Sequence, residues 1–397
     1  MSKGYRYRDL APDREDGTSS WVHTALVLTG RMGEIHPAFL IPVWALLAWF
    51  AAVPWSGLRG WAMLATALPV VVDWVVLACL PVAHRSWGPV APPLAGLTVV
   101  HCAVVATAGL VSRSPGAVVV ASVINLGVTV TAWYATWLEP FLIQVTRESF
   151  GLHEPDGPAI ARVLHITDIH FEGHSPRENQ LVELARDLAP DAIVLTGDYL
   201  NLSSVYDPEA QQGVRQVLSQ LTAPDGVYAV TGSPVVDIAD TVPAIFDGLP
   251  IRWLQDDVVE VDLGGRRVQL VGLRNTYAES RDAAALRALT ANLDKKATRV
   301  LLHHTPDLAP LAAELGIDLY LCGHTHGGQI RLPIFGAIAT SSRWGKRFEQ
   351  GRYQVGEMVL YVCRGLGLEG LGAPRARFLA PPEIVLWEIG VPQSGPD

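Results

Sequence analysis

At about 150 residues per domain, a chain of 397 residues has room for two or three folding units. Its 30 basic and 39 acidic side chains give a formal charge of −9, which argues against a nucleic-acid binder, because that function needs a concentrated basic face. Apolar residues make up 49% and charged ones only 17%, below the roughly 25% typical of soluble domains, so part of the chain is expected to avoid water.

Four scattered cysteines (Cys79, Cys102, Cys322, Cys363) offer neither a disulfide framework nor a CxxC zinc pair, and they leave the redox compartment open. Residues 1–35 read as an N-terminal tail holding Lys3, Arg6, Arg8, Arg14 and Arg31. Between Ala38 and Leu138 the only Asp, Glu, Lys or Arg residues are Arg59, Asp73, Arg85 and Arg113. Four apolar runs lie in this stretch, at 37–53, 61–83, 90–111 and 117–138. A crossing helix needs about 20 residues, with a range of roughly 17–25, so a four-helix transmembrane region is expected over 36–140, its first member marginal.

The breaks carry turn residues, and nine tryptophans precede residue 140, several at run ends, as an aromatic belt would place them. A cleaved signal peptide does not fit, because the first run begins past residue 30 and three more follow. The basic N-terminal tail and the positive-inside rule place the N-terminus in the cytoplasm, and four crossings would return the rest of the chain to that side. Asp73, His101 and Asn125 fall inside the runs. They read either as a transport-related site, since ionisable groups at membrane depth are costly, or as partners of one another and of the backbone.

A linker is expected over 141–161. From 162 to 390 short β-rich runs alternate with amphipathic helices, the pattern of a layered α/β domain, and 391–397 reads as a tail. Expected strands cover 162–167, 192–196, 227–231, 258–262, 267–272, 299–303, 319–322, 358–363 and 383–388. Expected helices cover 178–188, 209–221, 283–293 and 308–315. Gly264-Gly265 marks a hairpin turn.

Chemistry-bearing residues stand at the strand ends: Asp168-Ile169-His170, Gly197-Asp198, His303-His304-Thr305-Pro306-Asp307 and Gly323-His324-Thr325-His326-Gly327-Gly328. Ligands of open α/β sheets gather outside the carboxyl ends of strands, so these clusters are expected to converge. Carboxylate plus imidazole suits Mn, Fe or Zn rather than Ca, which prefers oxygen-only shells.

On these residues the chain resembles the calcineurin-like metallophosphoesterases over roughly 163–389, and Gly-His-Thr-His-Gly-Gly is the most specific part of the match. Within the family it looks most like a bacterial membrane-associated branch, where an Arg364-Gly-Leu-Gly367 segment and a Pro381-Pro-Glu383-Ile384 strand follow the last histidine motif. The resemblance implies an α/β/β/α sandwich holding two divalent metals. By position, Asp168, His170 and His326 would hold the first, Asp198 would bridge, and His304 and His324 would serve the second. His304 is preferred to His303 because it opens the family's His-x-Pro-Asp.

The chain departs from the family at Gly-Asn-His-Asp, where it reads Gly232-Ser233-Pro234-Val235. Ser233 is a weaker ligand than Asn, and Pro234 has no proton to give. Asp237 and Asp240 are candidates for a replacement carboxylate, and a weak second metal site is one expected consequence.

The implied function is membrane-anchored hydrolysis of a phosphate mono- or diester, with attack by a hydroxide held between the metals. Catalytic roles fall on Asp198, His324 and Arg364, and Arg364 would either steady the phosphate or merely pair with a carboxylate. The expected partners are the bilayer and a phosphate ester, a lipid-linked one being the natural guess beside a membrane. The alternative, motivated by Ser233-Pro234, is an impaired membrane sensor that binds a phosphorylated ligand. A third reading has the bundle transport a solute through Asp73.

Overall fold

The structure is a computed structural model that describes residues 28–33, 35, 37–151 and 161–390. The expected tail positions Lys3, Arg6, Arg8 and Arg14, the 391–397 tail and the Glu154–Pro158 stretch lie outside the described residues. The chain divides into two compact units, one of Trp21–Glu139 with Glu369–Ala376, the other containing Pro140–Leu368 and the chain from Arg377 onward.

The first unit is helical. Helices α1 (Ile41–Ala51), α2 (Arg59–Ala78), α3 (Ala91–Val111) and α4 (Pro115–Trp133) correspond to the four apolar runs. Proline opens α1, α3 and α4, where a missing N–H costs nothing, and the Ser114 side chain caps α4 by accepting from Ala117 N at 3.3 Å. Among the described residues, three helices are long and apolar enough to cross a membrane: Arg59–Ala78, Ala91–Val111 and the continuous stretch Pro115–Phe141.

The first run differs from expectation. Its 11 residues of α-helix rise only about 16 Å, roughly half of a hydrocarbon core of about 30 Å, because the chain turns after Ala51 to bury Trp55. A crossing by α1 is what the parity argument for a cytoplasmic C-terminal half depends on.

This unit turns its apolar side chains outward. Trp61, Leu68, Val119, Val123 and Leu126 are each at least 59% exposed, while Asp73, His101, Asn125 and Thr98 are buried. Asp73 Oδ2 lies 2.8 Å from His101 Nε2, and Asn125 Nδ2 donates to Ala65 O at 3.0 Å. The three polar residues inside the apolar helices therefore pair with one another and with the backbone.

The tryptophans are not uniformly a belt. Trp55 is fully buried and donates to Val105 O at 3.0 Å, and Trp137 donates to Val76 O at 3.0 Å. Gly109 makes room for Trp55, since a Cβ there would sit 2.5 Å from the indole nitrogen.

The second unit contains two six-stranded sheets. In chain order its elements are β1 (Gln144–Phe150), β2 (Ala161–Ile166), α5 (Pro176–Leu188), β3 (Ala192–Leu195), α6 (Pro208–Leu218), β4 (Val227–Ala229), α7 (Val242–Phe246), β5 (Ile251–Trp253), β6 (Asp257–Leu263), β7 (Arg266–Gly272), α8 (Glu279–Thr290), β8 (Thr298–Leu302), α9 (Ala309–Glu314), β9 (Leu319–Cys322), β10 (Arg331–Leu332), β11 (Gly336–Ala337), β12 (Gly351–Val355), β13 (Met358–Val362) and β14 (Glu383–Ile389).

One sheet runs β1-β14-β2-β3-β4-β5 and the other β12-β13-β9-β8-β7-β6. Inner strands such as β3 and β9 are buried along their whole length, as strands covered on both faces must be. Leu181, Val214 and Phe246 pack on the outer face of the first sheet. Val163, Val194 and Trp387 meet Val268, Val300 and Leu321 between the sheets, and Leu286, Ala309 and Ala312 cover the second sheet. The layers are thus helix, sheet, sheet, helix.

Residues 144–150, placed in a linker by the sequence reading, form the edge strand β1, paired parallel with β14 from Gln144↔Glu383 to Phe150↔Ile389. The turn at Gly264 and Gly265 takes φ of +64° and +89° between β6 and β7.

Candidate metal centre

Each chemistry-bearing segment leaves the carboxyl end of a strand. Asp168 and His170 follow β2, Asp198 follows β3, Ser233 follows β4, His304 follows β8, His324 and His326 follow β9, and Arg364 follows β13. Two buried groups result, Asp168 with His170 and His326, and Asp198 with His304 and His324; within each, one ligand atom per residue lies within 4.8 Å of the others. Asp198 faces both groups: its Oδ2 is 3.2 Å from His304 Nε2 and 3.5 Å from His170 Nε2.

The backbone is strained at this rim. Asp168, His170, Asp198, His324 and His326, five of the six residues, have φ between +45° and +69°, a left-handed region that costs non-glycine residues roughly 1–3 kcal/mol each. Neighbouring glycines allow close approach: a Cβ on Gly323 would lie 2.0 Å from Asp168 Oδ2, and one on Gly232 would lie 2.2 Å from Asp198 Oδ1.

Hydrogen bonds orient the ligand atoms. His304 Nδ1 donates to Thr196 O at 2.8 Å, which fixes the ring with Nε2 facing Asp198. Asp168 accepts from Thr167 Oγ1 at 2.8 Å and from His324 N at 3.1 Å. Asp237 accepts from the backbone N–H of Asp198 at 2.8 Å, Gly232 at 2.7 Å and Tyr199 at 3.0 Å. Its carboxylate therefore braces the loop carrying Asp198 and is not a replacement ligand; Asp240 is exposed.

The charges are those of a cation site. Burial alone would push Asp168 up, but His326, His170 and His304 hold it well below the usual carboxylate range. Asp198 is likewise brought down to about 2, against burial, chiefly by His304. Burial opposes a charge on His304, yet Asp198 and Asp168 hold it up to about 10, so the two carboxylates draw positive charge to this spot. Burial outweighs Asp168 at His326, whose imidazole is driven well below its ordinary value. His170 Nε2 and His326 Nε2 face each other at 3.1 Å beside Asp168 Oδ1, and at most one proton can lie between them. Converging imidazole lone pairs and carboxylates on a buried centre fit divalent ions with mixed nitrogen and oxygen shells.

Ser233 is drawn into the second group. Its N–H donates to Asp198 Oδ1 at 2.6 Å, and its Oγ lies 3.2 Å from Asp198 Oδ2 and 3.2 Å from His304 Nε2. His303 turns away, with Nδ1 at 2.8 Å from Tyr320 Oη, and burial pushes its imidazole down to about 3. Arg364 pairs with Glu383 at 3.2 Å and with Gln144 Oε1 at 2.9 Å, the carboxylate-pairing alternative.

Arg377 escapes sequence reasoning altogether, and Asp237, singled out there as a replacement ligand, has a bracing role that the sequence does not show. Fully buried Arg377 donates to the carbonyls of Gly367, Ala380, Arg364 and Gly365 and comes within 3.3 Å of His326 Nδ1. Burial, reinforced by Arg177 and Arg364, pulls its guanidinium down to about 9. No spacing marks it; the one signal is a pair of arginines, Arg375 and Arg377, inside the otherwise apolar 373–380 stretch.

Residues 161–328 match the calcineurin-like phosphoesterase family model. The chain is 30% identical to the metallophosphoesterase YkuE of Bacillus subtilis over 267 residues, 64% of this chain and 88% of that protein. It is 27% identical to the phosphodiesterase YaeI of Escherichia coli, over 64% of this chain and 92% of the relative. It is also 27% identical to the UDP-2,3-diacylglucosamine pyrophosphatase LpxG of Chlamydia trachomatis, over 66% and 94%. With that similarity added to converging Asp and His groups at the strand ends, the chain belongs to the calcineurin-like metallophosphoesterases, a family of metal-dependent phosphoric ester hydrolases.

Proposed function

We propose that the protein is a membrane-anchored, multi-pass phosphoesterase that hydrolyses a lipid-linked phosphate ester. The observation that carries this is the pair of buried Asp/His groups sharing Asp198. Asp168, His170 and His326 would hold one divalent ion; His304 and His324, with Ser233 as a weak neutral neighbour, would hold the other; Asp198 would serve both. Such ions supply Lewis-acid polarisation of the phosphoryl oxygens and activation of water near neutral pH.

The chain's own residues set the geometry. His304 is locked by Thr196 O, Asp198 is held by Asp237 from behind, and the strained backbone presents five ligands without rearrangement. Pro234, where the resemblance has a histidine, offers no proton to a departing alkoxide. A missing proton donor costs about 10²–10⁴ in rate, so esters with acidic leaving groups, pyrophosphates among them, are preferred.

Two observations favour a substrate at a lipid surface. Three helices of membrane length share the chain. In the second unit, Leu332, Ile334, Phe335 and Ile338 around the β10–β11 turn are each at least 47% exposed, a few residues after His326, and Lys346 Nζ sits 3.5 Å from the Phe335 ring centroid. Apolar tips flanked by cations suit a bilayer interface. LpxG, by its name, acts on a diacylated nucleotide sugar.

The test is hydrolysis of bis(p-nitrophenyl) phosphate and p-nitrophenyl phosphate by the full-length protein with Mn. Turnover that disappears in Asp198→Asn supports the hydrolase; tight phosphate-ester binding without turnover supports the sensor reading.

A further inference from the structure

On the same strand-end rim as the second ligand group lies a cavity of about 480 Å³, lined by Asn275, Tyr277, Asp282, His303, Thr305 and Asp307 among others. Asn275 and Tyr277 come from the segment after β7. His303 and Thr305 flank the ligand His304, and the Tyr277 ring lies 6.2 Å from that of His324. A phosphate ester bound at the metal groups would direct its alcohol portion into this space.

Two buried polar atoms in the wall are unspent. Asn275 is 6% exposed, and its Oδ1 accepts from Tyr277 N at 3.2 Å. Only the carbonyl oxygen of the amide can accept, so Nδ2, which has no partner, is the donor left over. His303 is 1% exposed, with Nδ1 at 3.1 Å from Thr305 O and 2.8 Å from Tyr320 Oη. Tyr320 gives its one hydroxyl proton to that same carbonyl, so Nδ1 must be the donor and Nε2 keeps a lone pair. That Nε2 also lacks a partner, and it stands 4.0 Å from Asp282 Oδ2, a second acceptor.

Resting on the reading of the metal groups as the phosphate site, we propose that this cavity binds an alcohol moiety that stays esterified to the phosphate while the more acidic group on its other side departs, and that this retained moiety is hydroxyl-rich, of the glycerol, inositol or sugar kind. A hydroxyl both donates and accepts. Placed here it gives its proton to His303 Nε2 or Asp282 and takes one from Asn275 Nδ2, which an alkyl or aryl group cannot do. Arg343, the one cation of the wall, is paired with Glu279, and the rest is rich in acceptors with a single phenol ring, a surface suited to O–H donors more than to a stacked base.

The test is calorimetric binding of two phosphonates to the full-length, Mn-loaded protein: butylphosphonate and 3,4-dihydroxybutylphosphonate, which differ only in two hydroxyls. The diol is expected to bind at least tenfold tighter. Asn275→Asp keeps the acceptor for Tyr277 N–H but replaces the free donor by an acceptor; together with Asn275→Ala it should bring the ratio of the two affinities to near one, whatever happens to each affinity separately. Equal binding of the two compounds by the wild type, a preference for 4-aminobutylphosphonate over the diol, or a ratio that survives both variants would overturn the proposal. Failure of every phosphonate to bind would instead remove the phosphate-site reading, and this inference with it.

Discussion

The two units solve opposite burial problems with the same chain. In the helical unit the polar residues Asp73, His101 and Asn125 are inside while Trp61, Leu68, Val119, Val123 and Leu126 face outward. In the α/β unit apolar residues fill three interlayer cores, and Leu332, Ile334, Phe335 and Ile338 form an exposed apolar group at one turn. Both units bury ionisable groups, but for different ends. Asp73 and His101 pair through a single contact of 2.8 Å, whereas six acidic and imidazole side chains crowd the strand-end rim.

Breaking the cluster should have the largest effect. Removing an outer-shell partner of a metal site typically costs about 10–100-fold in affinity or activity, so Asp198→Asn, which alters a proposed ligand itself, is expected to cost more than about 100-fold in kcat/KM on bis(p-nitrophenyl) phosphate. Restoring the family residues with Ser233→Asn and Pro234→His should sharpen the contrast. Hydrolysis of an alkyl phosphate is expected to rise toward the 10²–10⁴-fold worth of a positioned proton donor, while the nitrophenyl ester changes far less; equal gains on both would remove the leaving-group argument.

Next comes Asp237→Asn, which leaves the metal ligands in place but weakens the brace behind Asp198. A loss of about 10–100-fold is expected, with metal content measured alongside to show where it arises. On the helical side, Asp73→Ala leaves His101 buried without its partner. Breaking such a pair costs about 3–5 kcal/mol, read as earlier thermal unfolding of the helical unit with nitrophenyl turnover per folded molecule unchanged; a joint loss of turnover would tie Asp73 to the chemistry. The smallest effect is expected for Ile334→Asp with Phe335→Asp, which should slow cleavage of a bilayer-embedded substrate a few-fold and spare a soluble one.

Legibility in the sequence followed the same division. The alternation of strands and helices from 162 onward and the spacing of Asp168, His170, Asp198, His304, His324 and His326 were readable, because strand periodicity and short motifs are local. What escaped depends on distant partners. Strand β1, with its polar Gln144-Val145-Thr146-Arg147-Glu148, owes its form to parallel pairing with β14. Asp237 and Arg377 are defined by backbone groups at Tyr199 and Gly367 that no spacing points to. The length of α1 was overread because apolar composition does not reveal that the chain turns at Ala52 to seat Trp55 against α3. The left-handed backbone at five ligand positions is equally invisible, since Asp and His tolerate that region without requiring it.

The central claim is that Asp168, His170 and His326, and Asp198, His304 and His324, hold two divalent ions in one site. Metal analysis of the full-length protein after exhaustive dialysis against Mn tests it most directly. The account predicts close to two ions per chain in the wild type, close to one or fewer in Asp168→Ala, and loss of both in Asp198→Ala. A wild type that retains no metal, or an Asp198→Ala variant that still holds two, would contradict it.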